Sequence, residues 1–89
     1  AFDRKNILHV AEHNNNRVVK WRQGASTGIL VAGSREGYIG MDSTTFNRPR
    51  GIVFDTDGNL YVSDSMNARV QKWPVRATSG ITVAGTGKK

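Results

Sequence analysis

Few residues in this chain have the types and spacing that chemistry needs. His9–Val10–Ala11–Glu12–His13 reads H-x-x-E-H, a zinc-protease pattern. That chemistry requires a helix, which brings two His at i and i+4 onto one face. Here the surrounding apolar alternation predicts a strand entering a turn, where residues four apart stand roughly 13 Å from each other. One metal cannot bind both, so no metal centre is expected. Gly85–Thr86–Gly87–Lys88 resembles the end of a phosphate loop, but Thr82 stands where the first glycine is needed and Lys89 where Ser or Thr should follow. With two His and no suggestive Ser/His/Asp spacing, no catalytic residue and no cofactor site are expected, and the chain is not expected to be an enzyme.

The remaining charged and aromatic candidates occur in pairs. Arg17 and Arg69 follow Asn-containing turns, Asp3 and Asp55 stand at matching places, and Glu12 and Asp64 do likewise. Recurrence at equivalent positions favours a building role, with the carboxylates as partners for the arginines and for nearby backbone N–H groups. Trp21 and Trp73 are expected to pack between layers.

These pairs follow from an internal repeat. Sliding the sequence along itself by 52 residues aligns residues 1–37 with 53–89 without a gap, and 15 of the 37 pairs are identical. Ordinary composition would give about two or three. Two copies of one structural unit are therefore present. Leu8 and Val10 match Leu60 and Val62, whereas His9 faces Tyr61. Fixed positions alternating with drifting ones give a period of two, the mark of strands with one constrained face. Four strands per copy are predicted: Ala1–Asp3, Leu8–Glu12, Arg17–Trp21 and Ile29–Ala32, then Gly51–Asp55, Leu60–Asp64, Arg69–Trp73 and Ile81–Ala84. Asp57–Gly58–Asn59 is a hairpin signal between two of them. No helix of useful length is predicted. The chain divides into a first unit (1–33), a Gly/Ser/Thr/Asn-rich linker (34–50) and a second unit (51–89).

Size and charge set the outer limits. The chain has 89 residues, no cysteine and a formal net charge of +6. No apolar run approaches the roughly 20 residues of a membrane-spanning helix, and no membrane partner is expected. Without cysteine there are no disulfide staples and no thiolate metal sites; the cell compartment stays open. The basic residues are spread along the chain, where a nucleic-acid binder usually gathers them in one stripe.

Pro49–Arg50–Gly51–Ile52–Val53–Phe54–Asp55, Gly58–Asn59–Leu60–Tyr61–Val62–Ser63–Asp64–Ser65 and Asn67–Ala68–Arg69–Val70–Gln71–Lys72–Trp73 together resemble an NHL repeat. The first copy carries the same marks at Leu8–Val10, Asn14–Trp21 and Val31–Gly33. It departs at His9 and Glu12–His13, and the 52-residue period is longer than a usual blade. The resemblance implies an all-β fold, two four-stranded antiparallel propeller blades, in a family whose propellers commonly have six.

Two blades cannot close a ring, since propellers have 4–8. A lone pair leaves two apolar faces in water. Either the chain is a piece of a longer one, or copies assemble head to tail. The expected partner is the chain itself, as a homotrimer completing six blades, acting as a structural and protein-interaction scaffold. The alternative is single-stranded RNA binding on a basic face of the assembled propeller, drawing on Arg4, Lys5, Arg22, Arg48, Arg50 and Arg76. Related propellers also include lyases and hydrolases with a metal in the central channel, but identical chains supply only symmetric side-chain sets.

Overall fold

The computed structural model describes residues 1–85. The chain is all-β apart from one 3₁₀ turn at Ser65–Asn67. The N-terminal sheet holds β1 (Leu8–Glu12), β2 (Arg17–Trp21) and β3 (Ile29–Gly33). The C-terminal sheet holds β4 (Pro49–Phe54), β5 (Leu60–Asp64), β6 (Arg69–Trp73) and β7 (Ile81–Gly85). Both sheets are antiparallel meanders, in the orders β1-β2-β3 and β4-β5-β6-β7.

The repeat is visible in the register. Leu8 pairs with Trp21 and Glu12 with Arg17; 52 residues on, Leu60 pairs with Trp73 and Asp64 with Arg69. A bulge falls between Val18 and Val19 in one sheet and between Val70 and Gln71 in the other. Left-handed backbone recurs too, at Asn6 and Gly58, Asn16 and Ala68, Gly24 and Arg76, and Gly33 and Gly85.

The first predicted strand does not form, so the N-terminal sheet has three strands and not four. Phe2 makes only an isolated bridge to Leu8. The chain turns back at once: Asn6 N donates to Asp3 O, and the Asp3 carboxylate accepts from the Lys5 and Ile7 amides. In the C-terminal sheet β4 starts at Pro49, two residues before the predicted Gly51. The phosphate-loop lookalike falls at Gly85 and at residues 86–88, and all but Gly85 of it lies outside the described residues.

The core sits between the sheets. Val18 and Ala32 face Leu60, Val62 and Trp73, and all five are buried. Phe46, from the linker, closes the cluster, fully buried, with its ring centroid 5.6 Å from that of Trp73. Sequence reasoning treated residues 34–50 as a connection. One of its residues is instead among the most buried in the molecule.

Candidate functional site

The most heavily built polar feature is a clasp on the linker. The turn after β5 carries Asn67, and β6 starts at Arg69, so both side chains reach back to the end of β5. Arg69 Nε donates to Asp64 Oδ2 at 2.8 Å, and Asn67 Nδ2 donates to the same oxygen at 2.8 Å. Asp64 Oδ1 accepts from the Asn47 amide at 2.7 Å. The far end of Arg69 donates to three linker carbonyls, Met41 and Asp42 at 2.7 and 2.8 Å and Thr45 at 2.9 Å. Gly80 N donates to Ser43 O, also in the linker. A guanidinium suits this work because its planar fork offers several donors at once.

The N-terminal sheet repeats the clasp without its occupant. Arg17 Nε donates to Glu12 Oε1 at 2.6 Å, and Asn15 Nδ2 donates to that oxygen at 3.2 Å. Arg17 Nη1 donates to Arg35 O at 3.0 Å. This pair is 29% and 22% exposed, against 6% and 0% for Arg69 and Asp64. Beside it a groove of about 340 Å³ opens between Glu12, Arg17, Trp21 and Gly28. The hydrogen bond from Arg17 holds the Glu12 carboxyl below its ordinary range. Asp3 and Asp55 do not partner either arginine. Each caps its own turn, Asp55 accepting from the Asp57 and Asn59 amides and from Tyr61.

The two sheets use the same positions in opposite circumstances. Leu60, Val62 and Trp73 are buried against the N-terminal sheet, whereas Leu8 and Val10 are 37% exposed and Trp21 is half-buried. Val18 and Ala32 are buried from the other side, whereas Val70 is half-buried and Ala84 exposed. Each sheet has one covered face and one free face, and the free faces are the repeat-equivalents of the two covered ones.

A second opening lies between the sheets, a cleft of about 560 Å³. Arg4, Lys5, Arg22 and Arg76 line it, joined by Lys20, which sequence reasoning did not include. Arg48 and Arg50 do not. Phe54, Trp73 and His9 contribute to its walls. His9 is buried edge-on against Phe54, with ring centroids 4.8 Å apart, and its Nδ1 lies 3.1 Å from Ile7 O. Burial pushes its imidazole below the ordinary range, against the opposing pull of the Ile7 carbonyl and Asp3. Strand alternation puts Glu12 on the other face of β1, so the H-x-x-E-H residues do not converge. Among the described residues no three His, Asp or Glu side chains are grouped to hold a metal.

Residues 46–73 match the NHL repeat family. No curated protein matches the chain. The matched segment starts at Phe46, contains the Asp64–Asn67–Arg69 clasp and ends at Trp73, the residue on which Phe46 packs. It thus spans β4 to β6 together with the linker residue that fills the core. Phe46 stands in the sequence as one of two aromatics, with Tyr38, in the polar linker. Phe46 lies seven residues before Val53, the start of the aligned stretch, and so outside the comparison of the two copies.

Proposed function

We propose that this chain is a non-catalytic propeller scaffold whose two free faces bind further copies head to tail until a ring closes. The observation that carries this reading is the exchange of surroundings between equivalent residues. Leu8, Val10 and Trp21 offer the surface that Leu60, Val62 and Trp73 already use against Val18 and Ala32. The opposite free face, with Val70 and Ala84, repeats the receiving side. A joint that forms within the chain can form between chains, with no new design. Such heterologous contacts must close or run on as filaments. Two sheets per chain make a trimer the six-bladed solution. Native mass measurement tests this: a mass of three chains is expected, and a compact monomer at all concentrations would overturn it.

A second reading has an observation of its own. Four of the six basic residues singled out from the sequence share the inter-sheet cleft with Lys20, Phe54 and Trp73. A cationic groove suits single-stranded RNA, with phosphates on the cations and a base on the half-buried Phe54. Binding to an unstructured RNA should weaken steeply with added salt. No binding at low salt would remove this reading.

A further inference from the structure

In the C-terminal sheet the clasp holds a segment of peptide, residues 41–46. Four residues define how it is held. Arg69 takes the carbonyls of Met41, Asp42 and Thr45; Gly80 N–H takes that of Ser43; Trp73 receives the Phe46 ring; and Asp64 Oδ1 takes the amide that follows, Asn47. Each of these groups has its equivalent in the N-terminal sheet: Arg17, Gly28, Trp21 and Glu12. All four line one open groove.

The equivalents are left partly unused. Among the described residues, Arg17 Nη2, the Gly28 amide and Glu12 Oε2 have no hydrogen-bond partner, whereas their counterparts all bond the linker. Arg35 O occupies Arg17 Nη1, so the terminal nitrogen that in Arg69 serves Asp42 and Thr45 is the vacant one. The indoles differ as well. Trp73 Nε1 donates to Ala77 O at 2.9 Å, and its six-membered ring lies against Gly80. Trp21 instead presents its Nε1 edge to Gly28. The half-buried Trp21 has no aromatic neighbour among the described residues, where Trp73 has Phe46.

We propose that the groove at Glu12, Arg17, Trp21 and Gly28 is a docking site for a peptide segment of the Met41–Phe46 kind. The occupant supplies carbonyls to Arg17 and Gly28, an aromatic side chain to Trp21 and a following amide to Glu12. The polar pattern fixes its direction along the groove, because Glu12 accepts only the amide after the aromatic residue. This inference rests on the equivalence of the two clasps and not on the ring: Trp21 belongs to both surfaces, as Trp73 both packs on Phe46 and joins the core with Val18 and Ala32.

The test uses the full chain and an acetylated, amidated peptide of residues 40–47. The chain has two tryptophans, so its two indole N–H resonances are separable, with W21F assigning them. Saturable movement of the Trp21 resonance with Trp73 unmoved is the expected result. R17A should weaken binding about tenfold or more, as loss of a charge-assisted donor set predicts. R17K, which keeps the charge without the fork, should weaken it too. A peptide with Phe46→Ala should also bind more weakly. No saturable movement, equal binding by R17A or R17K, or movement of Trp73 in place of Trp21 would each overturn the proposal. Sedimentation without peptide reports self-association separately, so a failure of the ring and a failure of the groove give different results.

Discussion

Arg69 Nε and Asp64 Oδ2 lie 2.8 Å apart with both side chains almost wholly buried, and the same pair, as Arg17 and Glu12, lies in partial contact with water 52 residues earlier. Removing one partner of a buried pair strands the other charge and costs about 3–5 kcal/mol. An exposed pair contributes roughly 0–1 kcal/mol. Arg69→Ala should therefore abolish or severely weaken folding, and Arg17→Ala should leave it nearly intact. Urea denaturation of the two variants side by side checks the contrast.

Phe46 ties the linker into the core. Its truncation removes a fully buried ring from the cluster that holds Trp73 and Val18. Phe46→Ala should cost about 3–5 kcal/mol, an outcome foreign to an ordinary surface loop. Proteolysis should then cut within residues 34–48, which the intact chain protects.

Ala68 holds φ 51°, ψ 46° at the end of the 3₁₀ turn. A left-handed residue with a Cβ costs roughly 1–2 kcal/mol. Its equivalent, Asn16, shares the conformation and also serves the linker, donating to Gly37 O and accepting from the Arg48 amide. Ala68 makes no such side-chain contact. Ala68→Gly should raise stability by about 1 kcal/mol, less a few tenths for added freedom in the unfolded chain, read as a higher denaturation midpoint.

Acid should act in two steps. Burial keeps His9 below its ordinary value of 6.5, and Lys20 and the N-terminal amine push the same way. The unfolded chain thus takes up this proton first. The stability contributed by neutral His9 is complete above 6.5 and is lost as pH falls toward the depressed value. Glu12 is held down by Arg17, and Asp55 by the Asn59 amide, from ordinary values of 4.5 and 3.8. Their contributions are present above those values and vanish as pH falls below them. His9→Tyr, which installs the residue found at Tyr61, should remove the upper step and keep the lower. Denaturation midpoints followed from neutral to acid pH distinguish the two.

Val10 and Val62 separate assembly from folding. Val62 is fully buried and Val10 is 37% exposed on the free face. Val62→Asp should unfold the chain, whereas Val10→Asp should leave a folded chain that no longer associates. A Val10→Asp variant with unchanged native mass above that of one chain would contradict head-to-tail contact through this face.

The strands were legible wherever two copies could be compared. Leu8–Glu12, Arg17–Trp21, Leu60–Asp64 and Arg69–Trp73 stand where alternation put them, because one covered face per sheet constrains every second residue. The alternation could not show that Ala1–Asp3 makes only the isolated Phe2–Leu8 bridge, since Phe2 and Asp3 match Phe54 and Asp55 in type. Arg17 and Arg69 were recognisable as partners of Glu12 and Asp64. That Arg69 also grips Met41, Asp42 and Thr45 was not, because it bonds backbone carbonyls, which leave no trace in residue type. Phe46 was hidden for want of an aligned counterpart, and the basic cleft because Arg4, Lys20 and Arg76 come together only where the two sheets meet.

The bulges in the two outer strands have a consequence for growth. Val31 lies opposite the step between Val18 and Val19, and Val83 opposite that between Val70 and Gln71, each without a register partner. An extra residue there coils the margin of each sheet and spoils it as a template for strand addition. Strand addition along β3 and β7 is thereby disfavoured, which turns growth at those margins toward stacking perpendicular to the sheets.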